Sequence, residues 1–224
     1  MNTLKKLLTV VAMVATFASC SSSDADEIGK NPSLQNTTWE YNKPICEIEY
    51  PKDSIEISMG AAGQKMSFAP EQIVELYNSF AGEKISSYIR YFKFIDNKTM
   101  EVGYVADGED GVINIGYNQV DKYIQVDMSV INPKMPKISV NYTIKHEGTN
   151  SYMDLYFEKA YILIMAQQML PSFLPNMMGS IIPGFEMMPE MAQQAIITSF
   201  TSQINNILME TNSLKVGMQL KESK

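Results

Sequence analysis

The stretches YIQVDMSVI (residues 123–131) and ISVNYTIKH (residues 138–146) decide the fold. In the first, Ile124, Val126, Met128 and Val130 alternate with Gln125, Asp127 and Ser129. In the second, Ile138, Val140, Tyr142 and Ile144 alternate with Ser139, Asn141, Thr143 and Lys145. A period of two sends successive side chains to opposite faces, so each stretch reads as a strand with one face in a core and one in water. Antiparallel sheets carry that pattern, whereas strands of parallel sheets are apolar throughout.

The neighbouring sequence extends the pattern in both directions. SYIRYFKFI (87–95), MEVGYVA (100–106), VINIGY (112–117) and YMDLYF (152–157) are further β-rich runs. Turn signals separate them at Asp96–Lys98, Asp107–Gly111, Asn118–Lys122, Asn132–Pro136 and Glu147–Asn150, as in a meander of hairpins. Gly103 and Gly116 fall inside strands, where glycine eases the coiling that closure requires, and a closed barrel leaves no exposed edges. Upstream, NTTWEY (36–41), ICEIEY (45–50) and SIEISM (54–59) read as three short strands with turns at Asn42–Pro44 and Pro51–Asp53. Pro70 opens a helix over 70–81, with Ile73, Leu76, Tyr77 and Phe80 at helical spacing and Gly82 as its stop.

The last quarter changes character. AYILIMAQQML (160–170) is apolar nearly all round, and prolines at 171, 175, 183 and 189 forbid one long helix. A helix starts at Pro189, with Ala192, Ile196, Phe200, Ile204, Ile207 and Leu208 as its stripe. LKVGMQLK (214–221) alternates again and is expected to rejoin the sheet. The fold expected is mainly β: an antiparallel up-and-down β-barrel, with a helix near 70–81 and a helical, Met-rich excursion over 158–210 before the last strand. Residues 36–224 read as a single domain.

Residues 1–19 place Lys5 and Lys6 before an apolar run from Leu7 to Phe17. That run is about half the ~20 residues a spanning helix needs, so it reads as a secretory signal peptide. Its removal takes two lysines and leaves 16 basic and 25 acidic residues, a net charge of −9. An acidic chain without a basic cluster argues against nucleic acid as a partner and against electrostatic docking on anionic lipid. Residues 20–35 form an acidic, Ser-rich tether without periodicity, able to reach up to ~50 Å. Two cysteines exclude a disulfide framework, and Cys46, alternating with Ile48 and Tyr50, reads as a small buried hydrophobe.

Several residue groups are candidates for chemistry. Seven methionines lie between Met165 and Met191. They suit either core filling around proline turns or a flexible apolar surface over a ligand, with Met169, Phe173, Met177, Met178, Phe185 and Met188 as lining candidates. Soft thioether ligation of copper is the weakest reading, because the segment holds no histidine or cysteine. Glu47, Glu49, Glu101, Asp127 and Asp154 occupy polar strand faces, and two of them brought together would form a glycosidase pair. The lone histidine, His146, ends a strand beside Glu147 and reads as a surface residue. Asp107–Gly111 lacks the ligand spacing of a calcium loop and reads as a hairpin turn. No cofactor motif, metal-ligand set or catalytic residue is read.

The tetrapeptide Phe17-Ala18-Ser19-Cys20 resembles the lipobox of bacterial lipoproteins. The resemblance implies acylation of the Cys20 sulfur, with Cys20 as mature N-terminus, and so the lipid bilayer as a partner. The acids that follow Cys20 resemble the surface-export signal of Bacteroidetes lipoproteins, which implies display on the outer face of the outer membrane. Asp53-Ser54-Ile55 resembles the short O-glycosylation acceptor of secreted proteins from that group, with Ser54 as acceptor. Together with LQNTTWEY (34–41), these features look like the lipocalin-like (calycin-like) lipoproteins of gut Bacteroidetes. There an early strand carries a Gly-x-Trp signature that plugs one barrel end; Trp39 matches the tryptophan and Thr37 takes the glycine's place. That resemblance implies a barrel able to hold a small apolar ligand, and no enzymatic activity. Three functions follow: a non-catalytic binder of a small ligand or glycan, a carbohydrate hydrolase using paired strand acids, or an accessory subunit that meets an outer-membrane protein partner.

Overall fold

A computed structural model describes residues 32–59, 64–130, 137–164, 166–167, 174–175, 178, 182 and 184–223. Cys20, most of the tether, and Met169, Phe173 and Met177 lie outside the described residues. The described residues group into two compact units, one within residues 1–46, 77–157 and 215–224, the other within residues 47–76 and 158–214.

The first unit is a closed eight-stranded barrel. Its strands are β1 (Thr37–Glu49), β4 (Ile89–Phe94), β5 (Thr99–Ala106), β6 (Glu109–Val120), β7 (Tyr123–Asp127), β8 (Lys137–Glu147), β9 (Asn150–Glu158) and β10 (Ser213–Ser223). Each strand from β4 to β10 pairs with the next, and β1 closes the ring between β10 and β4. This is the antiparallel up-and-down barrel that the period-two pattern implies. Its interior is filled by alternate side chains from every strand, among them Trp39, Phe94, Val102, Ile115, Val126, Ile138, Tyr142, Met153 and Leu220. Eight strands leave an interior just wide enough for such a filling.

Turns form where polar residues interrupt the pattern. Asp107 and Gly108 both take positive φ, the geometry of the two-residue type I′ hairpin joining β5 to β6. β7 ends earlier than the alternation implies. Asp127 accepts a hydrogen bond from the Ser129 N–H at 3.0 Å and bends the chain into a 3₁₀ turn over Met128–Val130. Met128 stays in the core, whereas Val130, expected inside, is exposed.

Other boundaries also differ. Asn42–Pro44 is not a turn: β1 runs straight through it. Proline has extended-compatible φ, and the β1–β4 pairing spans only Thr37–Glu40, so the missing N–H of Pro44 deprives β4 of no partner. Helix α1 spans Pro70–Tyr88 and does not stop at Gly82. Ala81 and Ile85 continue the stripe of Tyr77 into the barrel core, which outweighs the modest helix penalty of one glycine. Ser86 and Ser87 donate to the Gly82 and Lys84 carbonyls, holding this last stretch helical. Leu76, expected on the buried stripe, is exposed.

The second unit contains the hairpin of β2 (Ile55–Met59) and β3 (Gln64–Phe68) and helix α2 (Glu190–Glu210). β3 has no counterpart in the sequence reading; its five residues hold two apolar side chains, one of them the exposed Met66. Gln203 of α2 supplies a side-chain amide as a strand substitute: its Oε1 accepts from Ser58 N–H at 2.6 Å and its Nε2 donates to Ser58 C=O at 3.2 Å. A separate core gathers Leu174, Met178, Phe185 and Ile197.

Candidate functional site

The segment entering β1 packs into the barrel core. Leu34 is fully buried in the barrel core, two residues ahead of the start expected near Asn36. Gln119 of β6 fastens this entry segment, accepting from Leu34 N–H at 3.1 Å and donating to Pro32 C=O at 2.8 Å and to Tyr142 Oη at 2.6 Å. Trp39 packs in the same core with its Nε1 donating to Thr37 Oγ1 at 2.7 Å, and Thr37 Oγ1 in turn donates to Leu34 C=O. Phe94 meets Tyr117 edge-on at 5.0 Å, and Tyr117 donates to the Asp96 carbonyl. Thr37 therefore has a use that a glycine lacks: its hydroxyl satisfies the buried indole N–H.

The strand acids are dispersed and engaged. Glu101 accepts from Tyr91 O–H at 2.9 Å. Asp127 serves the turn at Ser129, and its hydrogen bonds from the Ser129 hydroxyl and N–H hold its carboxyl below the ordinary Asp range. Glu49 accepts from Ser213 Oγ at 3.2 Å. Glu47 is exposed near the end of β1. Asp154 is buried to 8 % exposure. His146 shares a 3.1 Å contact with Ser151 Oγ on the exposed β8–β9 hairpin. Among the described residues no three His, Cys, Asp or Glu side chains gather as a metal site.

The Met-rich candidates that can be placed serve packing in the second unit. Met178 and Phe185 are buried in its core with Leu174 and Ile197, and Met188 lies against that cluster. Met187 and Met191 are the opposite case, at 92 % and 85 % exposure. In the sequence nothing separates Met187 from Met188; only the 3₁₀ turn over Phe185–Met187 sends one inward and one outward.

The arrangement with most chemistry lies on the outer face of β7 to β10 and β1, opposite the buried alternates. Asp154 of β9 accepts from Lys145 Nζ of β8 at 2.7 Å and from Gln219 Nε2 of β10 at 2.8 Å. Gln219 Oε1 in turn accepts from Asn42 Nδ2 of β1 at 2.7 Å. Four strands are thus linked by one chain of side-chain hydrogen bonds. Beside it runs a cross-strand row, Tyr123 opposite Asn141 and Asn141 opposite Tyr156, with Lys215 Nζ 5.1 Å from the Tyr156 ring centroid. Tyr152 pairs with Lys145 two outward rows further on, beyond the Thr143–Asp154 pair. All of these occupy the outward positions of strands whose inward positions are core. The alternation marks Asn141, Lys145, Asp154, Lys215 and Gln219 as polar-face, whereas Asn42 reads as part of a turn and the tyrosines carry no such signal; the assembly was invisible in the sequence because it depends on register between five strands.

No family model, curated protein or solved structure matches the chain.

Proposed function

We propose that this chain is an outer-membrane lipoprotein, anchored through an acylated Cys20 and displayed on the cell surface, whose barrel is a non-catalytic binding module. Support for the anchor comes from the basic start, the short apolar run and the small residues ahead of Cys20. Two or more acyl chains, at ~0.8 kcal/mol per buried methylene, hold a protein stably without a spanning helix. The observation that carries binding over catalysis is the employment of the strand acids: Asp154, Asp127, Glu101 and Glu49 each hold a structural hydrogen bond on a different strand or turn. A glycoside hydrolase needs two carboxyls about 5–10 Å apart across one cleft, with one free to donate a proton.

The test is metabolic labelling of the intact protein with an alkynyl palmitate, with Cys20→Ser alongside, followed by protease treatment of whole cells. Label on the wild type alone, and digestion without lysis, support the proposal. Label that survives Cys20→Ser, or a protein released unlabelled into the medium, contradicts it. The exposure of Met187 and Met191 favours one second reading, an accessory subunit that meets a membrane partner through these side chains. In that case cross-linking from position 191 captures a single outer-membrane protein, and Met187→Ser abolishes the capture.

A further inference from the structure

We infer that the outer face of strands β7 to β10 is a binding site for a neutral oligosaccharide. The inference rests on the reading of the barrel as a binding module and names its ligand class. Recognition of a sugar needs three things together: a planar apolar surface for the C–H face of the ring, amides and carboxylates for its hydroxyls, and rigid placement of both. Tyr123 and Tyr156 stand two strands apart on either side of Asn141, in direct cross-strand register. With strands about 4.8 Å apart, their Cα atoms are separated by ~10 Å, close to the spacing of alternate units along a hexose chain.

The polar groups are held in advance. Asp154 is fixed from both sides by Lys145 and Gln219, and Gln219 is fixed again by Asn42. Buried Asp154 acts here as the anchor, and amides locked on it in this way accept and donate without the entropy loss of ordering long side chains. The remaining lone pairs and N–H groups of the half-buried Gln219 and the exposed Asn42 suit the alternating donors and acceptors of a sugar hydroxyl pair. Charge narrows the class. The Asp154 carboxylate is balanced by Lys145, and the Lys215 ammonium lies over one face of the Tyr156 ring, so neither of the two cations beside the tyrosine row is placed to select a uronic acid or sulfated chain. The strongly acidic chain as a whole repels such polyanions as well.

The experiment titrates the mature full-length chain, from position 20 onward, with cellohexaose, maltohexaose and mannohexaose by calorimetry, with polygalacturonate as the anionic control. Wild-type protein is expected to bind at least one neutral hexaose and not polygalacturonate. Tyr156→Ala and Tyr123→Ala are each expected to weaken that binding about three- to tenfold, as the loss of one stacked ring predicts. Tyr156→Phe, which keeps the ring, is expected to retain most of it. Circular dichroism of each variant separates loss of ligand from loss of fold. Absence of binding to all three hexaoses, or stronger binding to polygalacturonate, overturns the ligand class while leaving the anchoring result at Cys20 untouched. Binding that survives both alanine variants shows that the site is elsewhere.

Discussion

Gly217 of β10 lies hard against the backbone of β9: a methyl group there would overlap the Leu155 carbonyl oxygen and come within 2.7 Å of Tyr156 Cα. Backbone cannot swing aside as a side chain can. Gly217→Ala is therefore expected to open the seam between β9 and β10, costing about 2–4 kcal/mol in denaturant unfolding. Gly103 is crowded by a different kind of neighbour, the Tyr91 ring, whose Cδ1 is 2.6 Å from the added methyl position. That ring can rotate, so Gly103→Ala is expected to cost less, about 1–2 kcal/mol. Equal losses at the two positions would contradict this.

Lys159 supplies the cation that helix α2 lacks in its own last turn, donating to the Met209 carbonyl at 2.9 Å and also to the Thr211 carbonyl. Lys159→Met keeps the stem and removes the charge. It is expected to destabilise the protein by about 1–2 kcal/mol, with the loss concentrated in faster amide exchange over 207–211. Unchanged exchange there would remove the capping role.

Two half-buried carboxylates set an acid limb. Asp96 accepts from the backbone N–H groups of Lys98 and Thr99, and Asp127 from the hydroxyl and N–H of Ser129; both are held below the ordinary Asp range for that reason. A depressed folded value means that the unfolded chain binds protons first. The stabilisation is complete above the usual Asp value, near 3.8, and is lost as pH falls through the lowered folded value. Asp96→Asn and Asp127→Asn are expected to flatten stability against pH below about 4. A curve for the double variant that parallels wild type would contradict the assignment.

The barrel was legible in the sequence because its strands are wet on one side. Ile124 and Val126 against Gln125 and Asp127 give a period that no helix shares. Boundaries were less legible where a tertiary contact overrode a local signal. Gly82 reads as a stop, yet Ala81 and Ile85 beyond it pack into the barrel core, and Pro44 reads as a turn, yet β1 continues through it. The candidate site was hardest to read, since Asn42, Lys145, Asp154 and Gln219 meet only when four strands fall into register.

Methionine exposure makes a separate chemical prediction. Met187 and Met191 offer their thioethers to solvent, while Met153, Met178 and Met218 are buried. With dilute hydrogen peroxide, the first pair is expected to reach full sulfoxide before the buried three show any, without loss of secondary structure. Peptide mapping by mass spectrometry checks the order, and oxidation of Met178 ahead of Met187 would contradict the placement.

The binding face itself is best tested residue by residue. Amide chemical shifts of the labelled mature chain, followed during titration with the hexaose that binds, are predicted to move first at Asn141, Tyr156 and Gln219. Shifts centred instead on buried positions such as Met153 and Ile138, with the outer residues unmoved, would place the ligand inside the barrel and contradict an outer-face site.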